Sequence, residues 1–339
     1  KPEDIAQLDY AQDIGDPGEY PYVRGIHKNM YRGRFWTMRE LTGFGTPEET
    51  FEQHVYLAKE GVSGLDIAFD LPTVHGVDAD HPLAYYSVGR QGLPCSCLAD
   101  MEALLKGIPI EDVSIVFPLG TCSAAIIFSM FVAIAQERGV DLSVLRGTIQ
   151  NEPLKSRYAG YEPGCRYPRL GVKIAGDVIE YVVKSDMHHW NPIHLNAAAY
   201  HTYDGTAGEE MGAALAVGEE HLDEAMRRGL NIDDVAPRFT MFLDTDINLL
   251  EEAAKFRATR KVWAHVLKNK YGAKNPRSVQ LRIGMAGAGY SLIAPQPLDN
   301  IIRITLQSLA AVLGGCQSQF LHGYDEPICS PTPEAHRIS

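Results

Sequence analysis

From Phe35 onward the chain alternates short apolar runs with longer stretches of helical period. Runs of the kind buried in a parallel sheet recur at 35–41, 64–69, 113–118, 146–150, 193–199, 238–243, 279–284 and 318–322. Helix-period patterns separate them at 47–61, 98–106, 123–138, 170–185, 208–228, 246–271 and 297–313. Thr46-Pro47-Glu48-Glu49 carries the signals of a helix start: a capping Thr, Pro at the first helical position and acids in the first turn. Eight strands alternating with helices over roughly 300 residues predict an α/β fold, a (β/α)8 TIM barrel. An open doubly wound sheet is the competitor, but no Gly-x-Gly-x-x-Gly follows a strand to mark a dinucleotide site. The patterns give eight strands and seven helices. Pro333-Glu334-Ala335-His336 reads as the start of an eighth helix, so the sequence is expected to be a piece of a longer polypeptide.

Residues 1–33 are polar and punctuated by Pro and Gly, with Gly15-Asp16-Pro17-Gly18 as a turn cluster. They predict an extended N-terminal arm ahead of a barrel spanning 34–339. Two strands are unusual for a filled barrel. Ile193-His194-Leu195-Asn196-Ala197-Ala198-Ala199 and Gly284-Met285-Ala286-Gly287-Ala288-Gly289 carry small side chains where bulky branched ones are the rule. A tight helix–strand contact explains this blandly; a ligand channel through the barrel is the sharper reading.

Composition narrows the class. A formal charge of −12 over 339 residues argues against non-specific binding to nucleic acid or an anionic membrane. No run approaches the ~18 apolar residues of a membrane span, and no signal-peptide pattern opens the chain. Of six Cys, only Cys95 and Cys97 are clustered, too closely for a zinc knuckle. Reduced thiols and a cytoplasmic setting are expected.

Against this acidic background, Arg24-Gly25-Ile26-His27 … Met30-Tyr31-Arg32-Gly33-Arg34-Phe35-Trp36-Thr37-Met38-Arg39 stands out. A solvated basic run has no need of Phe35, Trp36 and Met38, and a core strand does not tolerate Arg34 and Arg39 without anionic partners. The segment suits a site for a large, anionic, partly apolar ligand such as a nucleotide thioester. It also resembles the opening of the substrate-binding domain in the methylmalonyl-CoA mutase family. The resemblance continues through Ala68-Phe69-Asp70-Leu71-Pro72-Thr73, Gly147-Thr148-Ile149-Gln150-Asn151, Tyr200-His201, Ala236-Pro237-Arg238, Asn275-Pro276-Arg277-Ser278, Gln317-Ser318 and Asp325-Glu326. These motifs follow the family's order at nearly its spacing.

That resemblance implies a barrel with coenzyme A threaded along its axis and adenosylcobalamin capping the strand C-terminal ends. It implies radical rearrangement of an acyl-CoA, with a small cobalamin-binding subunit as partner in a hetero-oligomer. By the resemblance, His201 donates a hydrogen bond to the thioester carbonyl, where such a donor stabilises developing charge. Gln150 holds the same acyl end and Thr148 lines it. Arg34, Thr37 and Arg39 lie near the coenzyme A phosphates and pantetheine, since the guanidinium fork suits phosphate. Arg238 is a further candidate of that kind, and Met30 packs along the chain of the ligand. Glu326 contacts the adenosyl ribose. For each, a structural alternative stands beside the functional one: a core His or Gln satisfied by backbone, an Arg paired with a neighbouring acid, a solvated Asp325-Glu326 loop.

Departures from the family are as informative. His27 and Leu41 stand where the methylmalonyl enzymes carry Tyr, and Gly160 lies near where they carry Arg. The missing Tyr–Arg pair is what recognises a free carboxylate. Burying that carboxylate unpartnered costs several kcal/mol, so methylmalonyl-CoA is not the expected substrate, although Arg157 or Arg166 could substitute. The string around His27, counted here among the catalytic candidates, looks most like the branch acting on 2-hydroxyisobutyryl-CoA. That branch pairs Ile with a hydroxyl-binding Asp; here Leu41 and Ala68 occupy those positions, with Asp66 on the same face two residues earlier. A branched or elongated acyl group without a carboxylate is the first expectation and a hydroxyacyl group the second. Ala286 replaces a family Gln near the adenosyl group, which leaves a non-catalytic acyl-CoA-binding barrel as an alternative.

No Asp-x-His-x-x-Gly cobalt-ligand motif occurs; Asp186-Met187-His188-His189-Trp190-Asn191 begins like one but lacks the Gly. A cobalt ligand is expected from another subunit or segment. His188, His189, His194 and His201 lack the spacing and carboxylate of a metal site. Lys155 and Lys173 do not sit convincingly at a strand end, as a Schiff-base aldolase would require.

Overall fold

A computed structural model describes every residue except 1, 44, 60, 61, 63, 120, 155–166, 199, 201–204, 330, 331 and 339. Its strands are β1 (Thr37–Thr42), β2 (Gly64–Ile67), β3 (Ser114–Phe117), β4 (Arg146–Ile149), β5 (Trp190–Asn191), β6 (Ile193–Asn196), β7 (Phe239–Thr245), β8 (Arg282–Gly287) and β9 (Ser318–Phe320). All pair in parallel in the order β5-β4-β3-β2-β1-β9-β8-β7-β6. The two ends of that list are consecutive in the chain, parted by Pro192, which has no N–H to give a ladder. β5 pairs with β4 and β6 with β7, and the His194 N–H donates to the Gln150 carbonyl at 3.1 Å. The interrupted strand 190–196 therefore acts as one stave, and the sheet closes into the (β/α)8 barrel that the alternation predicts.

Helices α1 (Pro47–Lys59), α2 (Leu71–His75), α3 (Leu98–Leu105), α4 (Thr121–Glu137), α5 (Pro168–Lys184), α6 (Ala207–Arg227), α7 (Ile232–Val235), α8 (Leu249–Asn269), α9 (Asp299–Gly314) and α10 (Pro333–Ile338) surround it. Thr46 does cap α1: its Oγ1 accepts from the Glu49 N–H at 3.2 Å, and Glu49 accepts from the Thr46 N–H at 2.8 Å. The eighth barrel helix begins at Pro333, as α10. The strand expected at 279–284 lies three residues later, at Arg282–Gly287. The turn closed by Ser278 N–H to Asn275 C=O consumes the residues before it, and Val279 and Leu281 are buried beneath the barrel instead.

The apolar core sits between sheet and helices. Ile67, Phe117, Ile149, Ile193, Leu195, Met241, Leu243 and Ile283 are essentially inaccessible there, in two clusters. The arm crosses the N-terminal end of the barrel. Arg260 on α8, fully buried, donates to the carbonyls of Tyr22 and Val23 in the arm and of Gly314 and Gly315 at the end of α9. Tyr31 donates to the Cys316 carbonyl at 2.8 Å. Among the described residues no helix is long and apolar enough to cross a membrane, and Cys95, Cys97, Cys316 and Cys329 are free thiols.

Candidate functional site

The outward residues of β2, β3, β6, β7 and β8 are mostly apolar, whereas β1 turns Glu40 and Thr42 outward and β9 Gln319; by alternation the other set lines the barrel axis. Registers pair Leu41 with Asp66, Asp66 with Val116, Val116 with Thr148 and Thr148 with Asn191. On the other side they pair Asn196 with Phe242, Asp244 with Ala286, Ala286 with Phe320 and Phe320 with Arg39. The lumen is thus lined by Thr, Arg, Ser, Asn, Gln, His, Asp, Gly and Ala almost throughout, in place of the branched side chains that fill an ordinary barrel. It is also open: Leu41 faces inward yet is 40% exposed, whereas Ile67 one strand away, facing outward, is at 0%. Small inward side chains occur on β8, at Gly284 and Ala286; elsewhere the inward face is mainly polar, with Leu41, Val116, Phe242 and Phe320 as apolar members.

Thr37, Arg39, Leu41, Asp66, Ala68, Thr148, Gln150 and Ala286 all fall on this one face. The structure connects several of them. Arg39 Nη1 pairs with Asp66 Oδ1 at 2.7 Å and its Nη2 donates to Ser114 Oγ at 3.2 Å, so two residues singled out separately form one ion pair across β1 and β2. Burial raises the Asp66 pKa, with Arg39 opposing. Thr148 Oγ1 accepts from Asn191 at 2.8 Å, and Asn191 Oδ1 accepts from Arg282 at 2.6 Å. Gln150 follows β4 and is buried. Its position is fixed by Asn151, held at φ 41° with its amide on the carbonyls of Pro192 and Ala175. Gly43 lets the end of β1 approach Ala68: a Cβ there would overlap the Ala68 carbonyl. His201 and Gly160, with Arg157, Arg166 and Lys155, lie outside the described residues.

The two ends of the lumen differ. At the N-terminal mouth, His27 of the arm and Arg34 just after it meet Arg282, which opens β8, and burial together with those two cations lowers the His27 pKa. His189 is lowered by burial and by Arg146, His188, Arg277 and Arg282. Arg282 itself is pushed down to about 10 by burial and by Arg277; it donates to Asn191 and to the Pro237 carbonyl, with no carboxylate. Arg34, Arg146, Arg277 and Arg282 form no ion pair among the described residues. His27, one of the catalytic candidates, lies at this cationic mouth beside Arg34 and Arg282, whereas Gln150 follows the C-terminal end of β4. Arg238 sits at the same mouth, held by the Met187 and Asp234 carbonyls and by His188 at 3.0 Å. Met30, at φ 40°, packs against Gly25 and Gly315. Sequence reading passed over Arg282 and Asn191, although alternation from Gly284 and from Thr148's neighbour strand would have placed both inside.

At the C-terminal mouth lie Ala286, Glu326 and Tyr290. Glu326 Oε1 is 3.7 Å from His322 Nδ1. The sequence Gly287-Ala288-Gly289 keeps this rim low; a Cβ on Gly289 would come within 3.3 Å of the His322 ring. This rim carries small residues at Gly287, Ala288 and Gly289, with the Glu326 carboxylate and the His322 imidazole at its edge. The Asp186–Asn191 stretch lies at the other mouth, and no group of three metal-ligating side chains occurs among the described residues.

The barrel thus combines a mainly polar lumen, a mouth whose Arg34, Arg146, Arg277 and Arg282 form no ion pair among the described residues, and a rim of small residues at the other end. The model of the family described as Methylmalonyl-CoA mutase matches residues 1–339. The chain belongs to the methylmalonyl-CoA mutase family. It is 40% identical over 331 residues to the 2-hydroxyisobutanoyl-CoA mutase large subunit of Aquincola tertiaricarbonis, covering 97% of this chain and 58% of that protein. It is 35% identical over 341 residues to the methylmalonyl-CoA mutase of Cereibacter sphaeroides, covering 99% and 46%. With the human mitochondrial methylmalonyl-CoA mutase it shares 36% over 339 residues, 98% and 44% of the two chains. The chain spans about half the length of these relatives.

Proposed function

We propose that this chain is the substrate-binding large subunit of an adenosylcobalamin-dependent acyl-CoA mutase, made of an arm (1–33) and a barrel (34–339). Its substrate is a branched or elongated acyl-CoA without a free carboxylate. The observation that carries this reading is the lumen: polar, open, and cationic at one mouth in a chain of net charge −12. Phosphates are held at the N-terminal mouth by Arg34 and Arg282, with Arg146 and Arg277 adding to the field. The pantetheine passes Thr37, the Arg39–Asp66 pair and Thr148. The thioester lies near Gln150, with His201 assigned to its carbonyl by resemblance. Leu41 and Ala68 shape the acyl pocket and give a carboxylate no partner.

When bound, adenosylcobalamin would supply the radical chemistry, with Glu326 and the Ala286 side of the rim as the residues that would receive it. The barrel's own part is to orient the acyl-CoA, shield it from water and satisfy its polar groups along the axis. Glu326 stands where the adenosyl ribose is expected, and Ala286 leaves that side of the pocket enlarged. The cobalt ligand comes from elsewhere, which accords with a small cobalamin-binding partner in a cytoplasmic hetero-oligomer.

The test is product analysis with a cobalamin-binding small subunit, adenosylcobalamin and isobutyryl-, pivalyl-, 3-hydroxybutyryl- and methylmalonyl-CoA. Isomerisation of a branched or hydroxylated thioester, with methylmalonyl-CoA left unchanged, supports the reading. Tight thioester binding without conversion of any of them would make the chain a binding barrel instead.

A further inference from the structure

Thr148, Asn191 and Arg282 face the lumen from β4, β5 and β8, and they form one chain of hydrogen bonds. Arg282 Nη2 lies 2.6 Å from Asn191 Oδ1, and Asn191 Nδ2 lies 2.8 Å from Thr148 Oγ1. The direction of that chain follows from its first member. A guanidinium has only N–H groups and cannot accept, so the Asn191 amide must turn its oxygen to Arg282 and its NH2 to Thr148. The Thr148 oxygen therefore accepts, and its own proton has to go to a different acceptor. Among the described residues Thr148 has no second hydrogen-bond partner. It is 7% exposed, so that acceptor belongs within the lumen rather than in bulk solvent.

The surrounding structure holds all three in place. The Trp190 ring packs on Gly147, where a Cβ would overlap it, and this close approach sets β5 against β4 with Thr148 and Asn191 in register. Arg282 uses the same Nη2 to donate to the Pro237 carbonyl at 2.8 Å. Its Nε and Nη1 have no hydrogen-bond partner among the described residues. One nitrogen of the fork thus serves the protein, and two remain for the phosphates that the reading above places at this mouth.

We propose that Thr148 is an obligatory hydrogen-bond donor to an amide carbonyl of the pantetheine chain, with Asn191 and Arg282 as the positioning residues that fix its polarity. A hydroxyl left to itself rotates and can donate or accept. Here the Asn191 NH2 removes that freedom, and an amide carbonyl, which only accepts, is the matching partner. Arg282 then acts at both ends of the ligand's polar half: directly at the phosphates, and through Asn191 on the pantetheine. The inference rests on the acyl-CoA reading above.

The experiment is calorimetric titration of the protein with coenzyme A and with adenosine 3′,5′-bisphosphate, a nucleotide that lacks the pantetheine chain. The ratio of the two affinities separates pantetheine contacts from phosphate contacts. Thr148→Val, nearly equal in shape, should lower that ratio about tenfold, the scale of a buried hydrogen bond, and Thr148→Ser should keep it. Asn191→Asp tests the polarity itself. The new carboxylate still pairs with Arg282 but only accepts, so the Thr148 proton turns to it and is lost to the ligand. That variant should lower the ratio about as much as Thr148→Val, and the double variant should lose no more than either alone. An Asn191 with a merely structural role would leave the ratio in Asn191→Asp at its wild-type value. That result, an unchanged ratio in Thr148→Val, or losses that add in the double variant would overturn the inference while the acyl-CoA reading stands. Failure of the wild type to bind coenzyme A overturns both.

Discussion

The arm's attachment gives the sharpest structural prediction, because it depends on one side chain. Arg260 is fully buried and its guanidinium serves only carbonyls: Tyr22 at 2.9 Å, Val23 at 3.1 Å, Gly315 at 3.3 Å and Gly314. Burial lowers its pKa to about 10, so the charge persists at neutral pH. Arg260→Met keeps much of the volume and removes the donors. Each buried carbonyl left without one costs about 1–3 kcal/mol, and relief of the guanidinium's desolvation returns part of the sum. A net loss of about 3 kcal/mol is expected, lowering the melting midpoint by roughly 4 °C in a chain of this size. The loss is local as well as global, since two of the four carbonyls belong to the arm. Limited proteolysis read by mass spectrometry should show cleavage within residues 1–33 well before the barrel is cut. Arg260→Lys, which reaches fewer carbonyls, should fall between. Unchanged melting together with an arm as protected as in the wild type would refute the clamp.

Other perturbations test other layers. His54, buried beside Thr42, has its pKa lowered to about 4 by burial. The unfolded chain therefore binds the extra proton first, and stability should fall as pH drops from about 6.5 to about 4, by about 3 kcal/mol from this group; urea melts across that range should flatten in His54→Gln. In Gly147→Ala the new Cβ meets the Ile115 carbonyl and the Trp190 ring, which should cost about 2 kcal/mol or more; a melting midpoint equal to wild type would contradict the close packing of β4 on β3 and β5. Arg34→Ala should weaken coenzyme A binding about tenfold and reduce its salt dependence, checked by titration at two ionic strengths. An unaltered affinity would remove Arg34 from the phosphate site.

The fold was legible because its two periods are clean. Outward residues such as Leu65-x-Ile67-x-Phe69 and Phe239-x-Met241-x-Leu243 are apolar at every second position, and the helices between them keep a 3.6-residue stripe. What hid was what the same alternation says about the other face. Asp66, Thr148, Gln150, His194, Thr240, Asp244 and Arg282 share the inward side, and reading each strand's polar half would have exposed a polar lumen at once. Contacts between strands were not legible: nothing local in Arg39 or Asp66 announces that they pair across 27 positions. The start of β8 was misplaced because Val279 and Leu281 are as apolar as strand residues yet belong to the barrel floor. Position along the axis was equally hidden: nothing local in His27 announces that the arm brings it beside Arg282 at the start of β8.

A crystal structure with butyryl-CoA tests the central claim most directly. The account predicts the ligand along the barrel axis, its phosphates among Arg34, Arg146, Arg277 and Arg282 and its thioester at the layer of Leu41, Ala68, Gln150 and Asp244. A nucleotide bound at the C-terminal rim, or a ligand lying outside the lumen, would contradict it.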